Sequence, residues 1–330
     1  MGKTLKILSR PKGNAEEYGR WSVNPYIGCC HGCLYCYLKK GPSGAYLGQD
    51  KPVLKKGVVN EEHAYHLAMA EIIANRDEII RDCGLFMTFT SDPCAPETRR
   101  LFFRIASDTI HQFVPVVILT KNADFFQYPT GKAMVYDTKH LMSLPNEERE
   151  RILISGLPFC TYLGEEHQHL VKPLVAFGWT LTGHDELEPN ASTNAERIAA
   201  MNRMSDEQYK TWASIEPVID FPSSLDMIYQ ALNAGCEHFK IGLLTNNTRV
   251  VRKDFQIGEH QFKAYDFKDC LHFIDDVMRM TDGKATVYWK QSVVDFCTAE
   301  AAYYRFSEEE IRKAIMDYPH SVGKDWSMFK

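Results

Sequence analysis

The sequence predicts an incomplete parallel α/β barrel, and three observations carry the prediction. Strand-like runs alternate with helical stretches along the chain, the order that builds a parallel sheet with helices on its faces. Runs such as residues 114–119 are apolar throughout rather than at every second position, as strands covered on both faces are. A chain of 330 residues is also a size that one such barrel fills.

The elements follow in order. Asn60 caps a helix expected to reach about Asp82, with Ala64, Leu67, Ala68, Ile72, Ile73, Ile79 and Ile80 as its buried stripe. Residues 85–89 read as a strand ending in Thr90-Ser91-Asp92-Pro93. A helix over residues 96–112 and the strand 114–119 come next. Residues 122–172 are too long for a plain connection and contain a helical stretch at 146–154. The pattern resumes with a strand at 174–181. Thr193 and Glu196, in capping-box spacing, then open a helix carrying Ile198, Ala199 and Met201. Strands are expected at 212–215, 239–243 and 286–289 with helices between them, and Ser307 and Glu310 open a last helix. Residues 244–264 are polar and loop-like. That stretch and 122–172 read either as lids over a substrate opening or as peripheral decoration. A single domain over 1–330 is expected, with a core at about 20–245 and a C-terminal extension at about 246–330.

Composition narrows the class. A hydrophobic share of 45% supports a sizeable core and argues against a disordered or fibrous chain. No apolar run approaches the roughly 20 residues that span a bilayer. The N-terminal MGKTLKILSR is basic without the apolar centre of a signal peptide, so a cytoplasmic protein with no membrane partner is expected. Residues 1–60 hold ten Lys/Arg against three Asp/Glu, a balance of +7 that leaves -12 for the rest of a chain of net charge -5. That flank reads as a phosphate-attracting surface or as a solvated one.

Ten cysteines without an export signal read as thiols rather than as a disulfide framework. Cys29, Cys30, Cys33 and Cys36 fall within eight positions, and the rest are dispersed. Cys29, Cys33 and Cys36 stand in C-x3-C-x2-C spacing. Three thiolates on one compact loop can hold three irons of a [4Fe–4S] cluster and leave the fourth iron open for a substrate or cofactor. A zinc site completed by His31 is the alternative reading. Cys30 falls outside the ligand spacing.

The string NPYIGCCHGCLYCY at residues 24–37 resembles the spore-photoproduct-lyase-like branch of the radical S-adenosylmethionine superfamily, whose pattern is NPY-x-GC-x-HGC-x-YCY. The resemblance is strong over 22–37, scattered through about residue 220, and poor in the last third. It implies a partial (β/α)6 TIM-type barrel with the cluster loop after the first strand. It also implies S-adenosylmethionine chelating the open iron. One-electron reduction, by a flavodoxin- or ferredoxin-type partner, cleaves that cofactor to methionine and a 5′-deoxyadenosyl radical that abstracts hydrogen from the substrate. In that branch the substrate is a thymine–thymine adduct in DNA, so DNA or RNA is the implied partner and lesion repair or base modification the implied activity. A peptide or small metabolite as substrate, and a non-enzymatic zinc-binding module, remain the competing classes.

The same resemblance assigns further residues. Tyr35 takes the adenine-packing position, or packs as core. Ser91 and Asp92 meet the methionine moiety, or simply form a turn. Lys121, in Leu119-Thr120-Lys121-Asn122, resembles a T-K motif that offers a cation to the cofactor carboxylate, or is solvated. Thr180 and Thr182 share one strand face and point at the cofactor, or are plain strand threonines. Glu216, in Ser214-Ile215-Glu216-Pro217, resembles an S-x-E-P segment that bonds ribose or substrate, or is satisfied by a helix N-terminus. Cys94 is the catalytic candidate, a hydrogen-atom donor displaced from the family position, or else a buried structural thiol. Tyr288 is a weaker relay or base-stacking candidate. Glu165-Glu166-His167-Gln168-His169 lacks the spacing of a helical zinc pair, His63 and His66 face solvent or a carboxylate, and Cys236, Cys270 and Cys297 are too scattered for a second cluster.

Overall fold

The structure, a computed structural model, describes residues 5–40, 44–126, 172–246 and 249–304. The helix expected at 146–154, Cys160, the Glu165–His169 string and the Ser307/Glu310 cap lie outside them. The strands are β1 (Leu8–Ser9), β2 (Ser22–Val23), β3 (Tyr26–Ile27), β4 (Val53–Leu54), β5 (Leu85–Met87), β6 (Val116–Thr120), β7 (Val175–Thr180), β8 (Lys210–Val218), β9 (His238–Leu243), β10 (Thr245–Asn246), β11 (Arg249–Val250), β12 (Phe255–Ile257), β13 (His260–Phe262) and β14 (Thr286–Trp289). The helices are α1 (Gly44–Leu47), α2 (Glu61–Ala74), α3 (Arg76–Arg81), α4 (Arg99–His111), α5 (Asn194–Asp206), α6 (Phe221–Asn233), α7 (Phe267–Thr281) and α8 (Gln291–Tyr304).

Eight strands form one sheet in the order β1-β2-β5-β6-β7-β8-β9-β14. β1 runs antiparallel to β2, whereas β2–β5, β5–β6, β8–β9 and β9–β14 are parallel. This is the α/β, partial TIM-type class that the sequence predicts. The expected C-terminal extension is corrected in one respect: its strand β14 joins the main sheet beside β9. The stretch 244–264 is not plain loop either, since β10–β11 and β12–β13 are two small hairpins within it.

The chain divides into two compact units, one of Met1–Cys30 and Tyr37–Ala176, the other of His31–Cys36 and Phe177–Met328. In the first, Asn60 caps α2 as expected, its side chain accepting from the His63 amide at 2.8 Å. The single helix expected to Asp82 is broken at Asn75, whose amide group turns back to the Glu71 carbonyl at 2.7 Å and competes with the helical ladder. The expected stripe is corrected at Ile73, which is 56% exposed, while Met69 takes a buried place. α4 packs on α2, with Leu101, Phe102 and Ile105 buried, and with Arg100 on Glu61 and Arg104 on Glu62, each at 2.6 Å. That helix begins at Arg99 rather than at 96, because the Thr98 hydroxyl is spent on the Asp92 and Ala95 carbonyls of the preceding turn.

In the second unit, Trp179, Trp212 and Trp289 are fully buried around β7, β8 and β14. Gly178 makes that core possible, because a methyl group there would stand 2.1 Å from the Trp212 ring. The Thr193–Glu196 capping box forms as expected, yet α5 buries a different face. Asn194, Arg197, Ala200, Met201 and Met204 point inward, Ala199 is exposed and Ile198 only partly covered. Among the described residues no helix is long and apolar enough to cross a membrane. Gly178→Ala is expected to lower stability by roughly 1–3 kcal/mol through overpacking on Trp212. Urea unfolding reads this, and an unchanged midpoint would refute the close approach.

Candidate functional site

The cysteine-bearing residues 28–36 form neither helix nor strand, so their backbone groups must find partners elsewhere. In the first unit Gly28 takes φ +87°, and a side chain there would meet the Lys51 carbonyl at 2.5 Å; Cys29 donates its amide to Gln49 O at 3.0 Å. The flanking Asn24 and Tyr26 act structurally. Asn24 donates to Ser9 and Ser22 hydroxyls at 2.9 Å and accepts from the Phe89 amide at 2.8 Å, joining the ends of β1, β2 and β5. Tyr26 donates to Glu61 at 2.7 Å, and burial together with that carboxylate pushes its phenol well up.

In the second unit the cysteine segment lies along Leu187–Asn190. Leu34 donates to the Leu187 carbonyl at 2.9 Å, Asn190 donates to the His31 carbonyl at 3.1 Å, and His31 Nδ1 sits 3.3 Å from the Asn190 carbonyl. One ring nitrogen of His31 is thus engaged in holding the loop. Cys36 N closes a turn on Cys33 O at 3.2 Å. The Tyr35 hydroxyl bonds to Glu188, and burial, then the charges of Glu188 and Cys33, raise its pKa well above the ordinary value. Glu188 and Arg197 side chains are both 0% exposed and 2.6 Å apart, in ionic contact without hydrogen-bond alignment; Arg197 also donates to the Thr180 carbonyl at 2.8 Å.

These two residues are what sequence reasoning missed. A signal was present: Asn194, Arg197, Met201 and Met204 share one helical face, so the two methionines place Arg197 inside. Thr180 is buried and coupled to this network through its backbone. Thr182 is corrected: it lies beyond the end of β7, with its hydroxyl accepting from the His184 amide at 3.2 Å.

The loop that presents Glu188 is itself fastened. His184 bonds Asp220 at 2.6 Å through Nε2 and Glu186 at 2.7 Å through Nδ1, and Asp185 accepts from the Asn194 amide groups at 2.6 and 2.7 Å. The Asp220 bond holds His184 above its ordinary value of 6.5; burial opposes it and Glu186 adds to it.

At the strand ends of the first unit, Asp92, Thr120 and Lys121 come together. Asp92 accepts from the Thr120 hydroxyl at 2.7 Å, the Lys121 amide at 2.8 Å and the Cys94 amide at 2.8 Å. At least three of about four acceptor positions of that carboxylate are therefore filled within the unit. This is a tie between strand ends, and it leaves little of Asp92 for an ammonium group. Ser91 differs, since its hydroxyl oxygen is buried with no hydrogen-bond partner among the described residues. Cys94 is 0% exposed, and burial, then the Asp92 charge, pushes its thiol well up. In the second unit Glu216 accepts from Lys290 at 2.5 Å, with Lys290 2% exposed. Tyr288 is buried, with Lys240 Nζ 5.9 Å from its ring.

The remaining groups are resolved simply. His66 pairs with Glu62 at 2.9 Å, and His63 accepts from the Val59 amide at 3.1 Å. Cys270 and Cys297 are buried with sulfurs 3.8 Å apart, while Cys236 bonds the His238 carbonyl at 3.3 Å. Among the described residues no group of three or more His, Cys, Asp or Glu is gathered to hold a metal ion. Cys29, Cys33 and Cys36 are thiols, the donor set that a [4Fe–4S] cluster takes once deprotonated. Their assignment as ligands rests on that donor chemistry and their spacing.

Among solved structures, a cysteine-to-serine mutant of spore photoproduct lyase matches 88% of this chain and 81% of its own, with a TM-score of 0.54 and 14% identity. The chain has the fold of spore photoproduct lyase. SuiB of Streptococcus suis matches 81% of this chain and 48% of its own at TM-score 0.43 and 9% identity. Its form bound to S-adenosylmethionine matches 81% and 49% at 0.42 and 11%. No family model and no curated protein matches the chain. At 14% identity the likeness to spore photoproduct lyase establishes fold, and each site residue stands on its own chemistry.

Two outcomes follow from this geometry. Arg197→Met leaves Glu188 buried and unpaired and is expected to cost about 3–5 kcal/mol, most of it recovered when Glu188→Leu is added. Urea unfolding of the single and double variants measures this, and additive losses would contradict it. A histidine whose folded pKa is raised stabilises fully below its unfolded value and ceases to do so as pH rises through the folded one. The stability gap between the unmodified chain and His184→Gln is therefore widest below about pH 6 and closes as pH rises through the raised pKa of His184. A gap that widens with rising pH would contradict the His184 assignment.

Proposed function

We propose that the chain is a radical S-adenosylmethionine enzyme with Cys29, Cys33 and Cys36 as cluster ligands. The observation that carries the reading is the C-x3-C-x2-C spacing on a loop without regular structure, in a chain with the spore photoproduct lyase fold. Held by those thiolates, a [4Fe–4S] cluster with S-adenosylmethionine on its open iron supplies a 5′-deoxyadenosyl radical for hydrogen abstraction.

The chain's own residues bind and orient. Tyr35, fixed at its hydroxyl by Glu188, offers its ring to the adenine. Ser91 brings a buried hydroxyl oxygen that a cofactor amino group satisfies, which is the structural feature that fits the cofactor best. Lys121, with its backbone pinned by Asp92, offers a cation to a carboxylate. Thr180 and Glu216 offer a hydroxyl and a carboxylate to the ribose or the substrate, Glu216 with its charge already partnered by Lys290. Cys94 stays protonated because it is buried, and S–H is the form that returns a hydrogen atom to a product.

We take the substrate to be a nucleic-acid base lesion or a base to be modified, on the basic flank and the NPY-x-GC-x-HGC-x-YCY resemblance. The reductant is a flavodoxin or ferredoxin, and the compartment is the reducing cytoplasm. A peptide or small-metabolite substrate is the second reading. It is favoured by Arg10 and Arg20, part of whose charge is offset by Glu78 and Asp82 at 2.6–3.6 Å.

After anaerobic reconstitution and reduction with dithionite, the chain is expected to form 5′-deoxyadenosine from S-adenosylmethionine, and Cys33→Ala to abolish iron uptake and cleavage together. Cleavage retained in that variant would remove Cys33 from the ligand set. Cys94→Ala is expected to leave cleavage intact and to change the distribution of substrate-derived products. An unchanged distribution would leave Cys94 a packed thiol. DNA or RNA affinity falling steeply between 50 and 200 mM salt, by orders of magnitude, supports the nucleic-acid substrate, and absent affinity would favour the second reading.

A further inference from the structure

Cys33 and Cys36 are the first and fourth residues of the turn closed by Cys36 N on Cys33 O at 3.2 Å, and Tyr35 is the third. Whatever holds the third residue of a turn constrains the separation and direction of the first and fourth. Tyr35 is held at its hydroxyl by Glu188, a fully buried carboxylate on the stretch Leu187–Asn190. The backbone bonds from Leu34 to Leu187 and from Asn190 to His31 run on either side of Glu188, so the carboxylate meets the turn midway along a strap that already follows it.

The far side of Glu188 is equally constrained. Arg197 stands 2.6 Å away with a side chain 0% exposed, and its second contact, 2.8 Å to the Thr180 carbonyl, ties the guanidinium to the end of β7. The guanidinium thus meets the carboxylate by charge and the carbonyl by a hydrogen bond at once. A buried ion pair is a poor device for stability, since well-packed apolar residues of similar volume often do as well or better; fixing a register is its best attested use. Here the register is that of an irregular loop which carries two sulfurs.

We propose that Glu188 is a positioning residue for the cysteine segment: acting through Tyr35, and itself held by Arg197, it fixes where Cys33 and Cys36 stand. The inference rests on the reading of those cysteines as cluster ligands, although the hold itself exists without a cluster. It assigns no chemistry to Glu188 and places the residue one side chain away from the ligands.

Two variants test it. Tyr35→Phe removes one hydroxyl and leaves the ion pair intact, so the fold is kept. Glu188→Leu with Arg197→Met replaces the pair together by apolar groups. In the iron-free chain, amide hydrogen exchange over residues 33–36 is expected to rise roughly tenfold in both variants, as loss of a hydrogen bond to a charged group implies, with exchange in α7 unchanged. In the iron-loaded chain, the electron paramagnetic resonance spectrum of the reduced cluster is expected to shift or broaden in both. Unchanged exchange in either variant overturns the proposal. A loosened segment with an unchanged spectrum also overturns it, because Glu188 would then tie the loop without setting the ligands. If the unmodified chain takes up no iron, the cluster reading fails by itself, while the exchange arm still decides whether Glu188 holds the turn.

Discussion

A loop that carries four thiols in eight residues has no ladder of its own to satisfy its backbone, and beyond one local turn it depends on bonds to distant parts of the chain. Here those bonds come from two places in sequence. Gln49 takes the Cys29 amide, and the stretch Leu187–Asn190 takes the segment from His31 to Leu34. The second of these is itself held by a buried Glu188–Arg197 pair, by His184 between two carboxylates, and by Asp185 under the cap of α5. The loop after β7 thus acts as a scaffold for a loop that precedes it by some 150 residues.

That arrangement is costly. A fully buried carboxylate and guanidinium surrender their hydration, and the attraction between them repays this only with good geometry. The structure surrounds them with further polar contacts, Tyr35 on one side and the Thr180 carbonyl on the other, which makes the network demanding and specific. The first unit has a parallel economy at Asp92. One buried carboxylate gathers the Thr120 hydroxyl and the amides of Lys121 and Cys94, so the ends of β5 and β6 keep a fixed relation. In both places a buried carboxylate is spent on holding its neighbours in the chain.

The fold was legible because its signals are local. Apolar runs at β6, β7 and β9 read as covered strands, Asn60 and Thr193 read as caps, and both caps form the expected bonds. What escaped was tertiary. The short strands β1 to β4 carry too few residues for any periodicity to show. The helix over 60–82 broke where an asparagine side chain competed with the ladder, which a periodic count does not register. In the candidate site the cysteine spacing was plain, whereas Glu188 and Arg197 look like two more charged residues of a polar loop and a surface helix. Asp92 reads in the sequence as a ligand group, and what the sequence does not show is that three of its acceptor positions are taken by the Thr120 hydroxyl and the Lys121 and Cys94 amides. Sequence names the residue types that chemistry needs; the hydrogen bonds around each one decide whether it is spent on the fold.

The proposed function requires Cys29, Cys33 and Cys36 to hold a cluster with one iron left open. Mössbauer spectroscopy of the anaerobically reconstituted chain, with and without S-adenosylmethionine, tests it most directly. The account predicts about four irons per chain, one of which changes its spectral parameters when the cofactor is added. Zinc bound in place of iron, or a cluster whose irons all ignore the cofactor, would contradict it.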